Sequence, residues 1–274
     1  MDLIVFDLDG TLLNRESVIS DYTRDTLQLL ADHQIAYTVA TGRTLHAARG
    51  LIRGHNFILP QIYKNGVLIW NPEQENFSRQ HLLTEDELGT VLEAFARQRI
   101  TPFIFTLERG NRHAAYHSPL QSEVEVRLAE ELGSRRGLPL LSLSDLPQDA
   151  QITNISALGP RAAIAVVTEL VAMEDHLVAY TGIGIQTQDV HWLDIHHSAG
   201  SKGDALAQLK QDLGVTRIIC FGDSDNDLSM FEEADEAYAP DNAQPEVKAA
   251  ATETVGHHDE DGIARFLRQR FQLG

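Results

Sequence analysis

The sequence predicts an α/β fold, a doubly wound parallel sheet with an inserted α+β domain. Three observations carry that prediction. Short apolar runs alternate with helix-like segments over residues 3–70 and again over residues 202–221. Between them the pattern changes to neighbouring strand-like runs joined by short turns. The chain has 274 residues, 43% of them hydrophobic, a length that suits one large or two modest domains.

Leu3–Phe6 is a short continuous apolar run, as expected of a strand buried on both faces. Ser20 caps a helix expected to run to about Gln34. Ile35–Ala40 reads as a second strand. Ile58–Tyr63 reads as a third, stopped by the turn dipeptide Asn65-Gly66. Thr84 and Glu87 have the spacing of a capping box and open a helix to about Arg99. Thr101–Leu107 and Arg112–His117 read as a hairpin turning at Gly110-Asn111. A helix over Gln121–Leu132, a strand over Ile152–Ala157 and a helix over Arg161–Met173 follow. Strands are expected over Leu177–Tyr180, Ile183–Gln188 and His191–Ile195. The chain then returns to a helix, Lys202–Leu213, and a buried strand, Arg217–Phe221. The core is thus expected to be discontinuous, residues 1–82 and 197–274, around an inserted α+β domain at residues 83–196.

Charge narrows the function classes. Lys and Arg number 22 against 40 Asp and Glu, a formal net charge of −18. Such a surface repels nucleic acid and anionic membranes, so neither is an expected partner. No obligate protein partner is indicated. The start of the chain has neither a basic segment nor a long apolar stretch, so the expected location is cytoplasmic. The single cysteine, Cys220, lies in an apolar strand and reads as a buried small hydrophobe. His196-His197 and His257-His258 lack the spacing of a zinc site and read as surface or hinge residues.

In an open parallel sheet, ligands bind at the carboxyl ends of the strands. Asp7 and Asp9 follow the first strand, and Thr41-Gly42-Arg43 follows the second. Lys64-Asn65-Gly66 follows the third, Lys202 opens a helix, and Asp223, Asp225, Asn226 and Asp227 follow Phe221. Hard oxygen donors without Cys or paired His suit Mg²⁺. A lysine and a threonine hydroxyl suit phosphoryl oxygens. A strand-end carboxylate can attack phosphorus, and a second one two residues on can serve as acid and base. In extended chain Asp7 and Asp9 point the same way, so both are expected to face the ligand. The GDSDND segment is not an EF-hand loop, because Leu228 and Ala234 stand where Gly and Glu are required.

These segments resemble those of the haloacid dehalogenase-like (HAD) superfamily, and within it the Cof-type phosphatases. Asp7-Leu8-Asp9-Gly10-Thr11-Leu12, Thr41-Gly42-Arg43, Ser201-Lys202-Gly203 and Gly222-Asp223-Ser224-Asp225-Asn226-Asp227 occur in the superfamily's order. Ala239-Pro240-Asp241-Asn242-Ala243 departs from it, where relatives often carry Met-Gly before Asn-Ala. The resemblance implies a Rossmann-like core, an α+β cap that closes over it, and a Mg²⁺-dependent phosphatase for a small phosphorylated metabolite, a sugar or cofactor phosphate. Asp7 would be the nucleophile, forming an aspartyl phosphate, and Asp9 the acid and base. Asp7, the Asp9 carbonyl and Asp223 would ligate Mg²⁺. Thr41, Gly42, Lys202 and Asn226 would bind phosphate, with Asp227, Arg43 and Asn65 behind them. Mg²⁺ and Lys202 are expected to lower the Asp7 pKa. A phosphomutase or phosphotransferase with the same intermediate, and a phosphoacceptor signalling module without turnover, remain as alternatives.

Overall fold

The structure, a computed structural model, describes residues 2–135, 137–184 and 189–274. The chain divides into two compact units, Met1–Arg79 with Gly200–Gly274, and Gln80–Ala199. The elements begin with β1 (Asp2–Phe6), α1 (Asp21–Asp32), β2 (Ala36–Val39), α2 (Leu45–Ile52), β3 (Gln61–Tyr63), β4 (Leu68–Asn71) and β5 (Asn76–Gln80). They continue with α3 (Glu85–Gln98), β6 (Phe103–Glu108), β7 (Arg112–His117), α4 (Glu123–Glu130), β8 (Leu140–Ser142), β9 (Gln151–Pro160), α5 (Arg161–Val171), β10 (Leu177–Ile183) and β11 (Val190–His197). The chain ends with α6 (Lys202–Leu213), β12 (Arg217–Phe221), α7 (Leu228–Glu233), β13 (Glu236–Pro240), α8 (Pro245–Ala250), β14 (Glu253–Val255) and α9 (Gly262–Phe271).

The first unit is built on a parallel sheet in the order β14-β13-β12-β1-β2. Leu3, Val5, Ile218 and Cys220 pack with Ala205, Leu206, Leu209, Met230, Phe231 and Val247 of α6, α7 and α8. Residues one step out of phase serve the other face. Phe6 stacks on Phe221, Phe221 on Tyr238, and both Phe221 and Tyr238 meet Phe266 of α9. The α9 residue Arg268 reaches α1, donating to Thr26 Oγ1 at 2.8 Å. Helices on both faces make the sheet doubly wound, which explains why its strands read as unbroken apolar runs.

The third strand is shorter than expected. It starts at Gln61 because Pro60 has no amide to donate and Ile58 is exposed. It pairs with the parallel sheet's edge at the bridge Ala40–Ile62, packs Ile62 into the core, then turns into an antiparallel ribbon, β3-β4-β5, that the sequence did not announce. Helix α2, capped by Thr44, also went unforeseen, as did the elements after β12.

The second unit holds a six-stranded sheet, β10-β11-β9-β6-β7-β8, antiparallel except for β7 and β8. One face buries Ile104, Ile155, Leu193 and Ile195 against Leu88, Val91 and Phe95 of α3 and Ile164, Val167 and Val171 of α5. The opposite face packs Phe103, Phe105 and Ala115 around Leu132 and Leu138. The Thr84–Glu87 capping box is present. The strand expected over Leu177–Tyr180 is β10, which runs on to Ile183; the one expected over Ile183–Gln188 falls largely on residues 185–188, outside those described. His196 is also corrected: it is buried, its ring 5.4 Å from that of Tyr180.

Candidate active site

The site lies within the first unit, where β1 and β12 run side by side and end together. The Asp7 amide donates to the Phe221 carbonyl at 2.9 Å, continuing the ladder one residue past β1. Beyond Asp7 the chain makes a wide helical turn, closed by the Leu13 amide on the Leu8 carbonyl at 2.8 Å. Gly10 is at φ 71°, and a Cβ there would lie 2.4 Å from Asp223 Oδ2. Only glycine meets both the dihedral and the close approach.

Lys202 is the hub. It is wholly buried, and its Nζ donates to Asp7 Oδ1 and to Asp227 Oδ1, both at 2.6 Å. Asp227 has both oxygens engaged, since Oδ2 accepts from the amides of Asp223 and Ser224 at 2.8 and 3.0 Å. It therefore shapes the loop after β12 and orients Lys202. Asp223 Oδ1 accepts from Thr11 Oγ1 at 3.3 Å. The Ser224 side chain also hydrogen-bonds Asp223, while among the described residues nothing donates to Asp7 Oδ2.

Oxygens of Asp7, Asp223 and Asp227 lie within 4.8 Å of one another. Three carboxylates thus face one ammonium. Burial, opposed by Lys202 and reinforced by Asp227, Asp223 and Asp9, holds the Asp7 pKa well above the usual carboxylate range. Lys202 acts to lower it, as expected, but in the protein alone it does not outweigh desolvation and the other carboxylates. Burial and Asp227 likewise raise Asp223 to about 6. Burial works against the Lys202 ammonium, but Asp227 and Asp7 outweigh it and raise its pKa. Asp7, Asp223 and Asp227 offer an all-oxygen donor set in which Asp7 Oδ2 accepts no hydrogen bond among the described residues, which fits a hard divalent cation.

Asp9 does not join that cluster. Arg43 grips it instead, Nε on Oδ2 at 2.7 Å and one terminal nitrogen on Oδ1 at 2.6 Å. The Asp9 side chain is 54% exposed and that of Arg43 23%. The expectation that Asp7 and Asp9 face one ligand is therefore not met in this conformation: although both backbones are extended, each side chain follows its own cation. Thr41 is buried, and its Oγ1 accepts from the Arg43 amide at 3.2 Å. Asn65, at φ 53°, accepts from Asn226 Nδ2 at 3.0 Å and covers Gly42, where a Cβ would lie 3.0 Å from Asn65 Oδ1.

Sequence reasoning missed a brace. Asn242 Nδ2 donates to the Gly10 carbonyl at 2.7 Å, and Asn242 Oδ1 accepts from the His258 amide at 3.1 Å. His258 Nδ1 donates to the Leu13 carbonyl at 2.7 Å. The signal was the Asn-Ala pair after β13, whose amide pairs with residues far away in sequence. His257, His258 and Asp259 also converge, but Asp259 already accepts from the Arg15 amide and guanidinium at 2.7 and 3.0 Å.

This chain is 28% identical over 273 and 290 residues to two Bacillus subtilis proteins. One of them is 5-amino-6-(5-phospho-D-ribitylamino)uracil phosphatase YwtE, with 98% of each chain covered. It is 27% identical to the HMP-PP phosphatase of Enterobacter sp. (strain 638), over 97% of this chain and 94% of that one. Among solved structures, a haloacid dehalogenase-like hydrolase from Bacteroides thetaiotaomicron superposes with a TM-score of 0.79 at 23% identity, covering 98% of this chain and 99% of the other. The HAD subclass IIB sugar phosphatase BT4131 superposes with a TM-score of 0.76 at 20% identity over the whole of both chains. Among the described residues no helix is long and apolar enough to cross a membrane. The family model for haloacid dehalogenase-like hydrolases matches residues 4–267, and the chain belongs to that family.

Proposed function

We propose that this protein is a Mg²⁺-dependent phosphatase that hydrolyses a small phosphorylated metabolite by way of a phosphoryl group on Asp7. The observation that carries the reading is the buried Lys202 ammonium clamped between Asp7 and Asp227, with Asp223 alongside. Asp7, Asp223 and the Asp9 carbonyl would hold Mg²⁺, which supplies positive charge to the phosphoryl oxygens when bound.

The residues of the chain divide the remaining work. Asp7 Oδ2, which accepts no hydrogen bond among the described residues, attacks phosphorus, and the bond from phosphorus to the leaving oxygen breaks. Asp9 delivers a proton to that oxygen. Asp9 then takes a proton from water as the water oxygen attacks phosphorus, and the Asp7–phosphorus bond breaks to release inorganic phosphate. Lys202 spends two of its three protons on Asp7 and Asp227, and the third is left for a phosphoryl oxygen. Thr41 accepts from Arg43 and has its own hydroxyl proton to give. Asn226 is aimed by Asn65, and Asp227 keeps Lys202 in place.

The test is phosphate release from a panel of sugar phosphates and phosphorylated heterocycles, with Mg²⁺ and with chelator. Asp7→Asn should lower turnover by roughly 10⁴-fold or more, the scale on which nucleophile removal acts, while the fold survives. Turnover within tenfold of wild type, or turnover unaffected by chelator, would contradict the reading.

A further inference from the structure

The Arg43–Asp9 fork opposes the chemistry assigned to Asp9. Both carboxylate oxygens accept from one guanidinium, so a leaving group has to compete with Arg43 for Asp9. The pairing is nevertheless easy to exchange. Asp9 is more exposed than not, and a pair at the surface is weakly held.

The main chain of Arg43, by contrast, is pinned. Its amide donates to Thr41 Oγ1 at 3.2 Å, and its carbonyl accepts from the Lys64 amide at 3.1 Å, at the start of a turn in which Lys64 and Asn65 both have positive φ. Only the side chain is free to change partners. Asp9 lies two residues beyond Asp7 at the end of the same strand, so the guanidinium that holds Asp9 already sits beside the Asp7 segment. A phosphoryl group at Asp7 would bring two negative charges and oxygens spaced for the same fork.

We propose that Arg43 is a positioning residue that changes partners during the reaction. It holds the Asp9 carboxylate at rest and passes to a phosphoryl oxygen when phosphate occupies the site beside Asp7, which frees Asp9 for the leaving group. This inference rests on the roles given to Asp7 and Asp9 above.

The exchange makes Asp9 and phosphate competitors for one guanidinium, and competition has a thermodynamic signature. Inorganic phosphate is titrated calorimetrically into the Mg²⁺-loaded full chain as wild type, Asp9→Asn, Arg43→Gln and the double variant. Asp9→Asn should tighten phosphate binding roughly two- to fivefold, the worth of an exposed ion pair. Arg43→Gln should weaken it roughly tenfold. Adding Asp9→Asn to Arg43→Gln should then change binding by less than about twofold, because there is no guanidinium left to release. In wild type, the Arg43 Nε–H resonance, assigned by its loss in Arg43→Gln, should move as phosphate is added. Equal tightening by Asp9→Asn with and without Arg43 would mean that only a negative charge was removed, and would overturn the proposal. So would a resonance that phosphate leaves in place. Phosphate binding without coupling overturns this inference alone, whereas no phosphate binding in any of the four proteins overturns the proposed function with it.

Discussion

Two ion pairs stand at the ends of adjoining segments, and the contrast between them explains how the site is divided. Lys202–Asp7 and Arg43–Asp9 each close to 2.6 Å. The first is sealed, with side chains 0% and 8% exposed. The second is open to water at 23% and 54%. Equal distances therefore mean different things. A sealed pair cannot lose one member without stranding the other charge in a dry site, so it fixes Asp7 in place. An open pair is nearly neutral in energy, so it is free to respond to substrate.

The largest effect should come from breaking the sealed pair. Lys202→Ala leaves Asp7 and Asp227 buried without a counter-charge and should cost about 3–5 kcal/mol in the metal-free protein, read as the shift in chemical unfolding. A loss no greater than that of Arg43→Gln would erase the distinction between the pairs.

Metal comes next. Mg²⁺ at a hundredfold excess over its Kd should stabilise the fold by about 2.7 kcal/mol. The sign of its pH dependence follows from Asp223, whose carboxyl is raised from 3.8 to about 6 by burial first and Asp227 second. A carboxyl with a raised folded pKa costs stability on ionising. That cost is absent below the unfolded value and complete above about 6, so this group makes the metal-free protein less stable as pH rises through that window. A cation that needs the ionised form should therefore give a larger gain in Tm at pH 7 than at pH 5. A gain independent of pH would place the metal elsewhere.

Asn242→Ala removes the donor on the Gly10 carbonyl and the acceptor for the His258 amide, and should cost roughly 1–2 kcal/mol. It should also lower turnover, because the brace holds the turn between Asp9 and Thr11; a variant with unchanged kinetics would make the brace purely structural. Arg43→Gln should show the smallest change in stability, under about 1 kcal/mol, since its pair is exposed.

The same contrast marks what could be read from the chain. Asp7, Thr41, Lys202 and Asp223 sit one or two residues beyond a strand or at the first turn of a helix, so their positions follow from elements that local patterning reveals. The parallel core was legible for that reason, and the hairpin of β6 and β7 because Gly110-Asn111 announces its turn. Arg43 gripping Asp9 joins residues 34 apart, and Asn242 holding Gly10 joins residues 232 apart; neither pairing leaves a trace in spacing. The ribbon strand β5 was hidden in a polar run in which Asn76 and Ser78 are exposed, so no alternation of apolar residues marks it. The lowering effect of Lys202 on Asp7 was legible as a motif, whereas the opposing effect of burial is a property of the whole fold.

The central claim is that Asp7 carries the phosphoryl group. The direct measurement is to quench the Mg²⁺-loaded enzyme with its best substrate during turnover, reduce the acyl phosphate, and locate the modified residue by peptide mass spectrometry. The account predicts modification at Asp7, absent in Asp7→Asn and accumulating in Asp9→Asn, where the water step is slowed. Steady turnover with Asp7 unmodified, or modification at another residue, would contradict it.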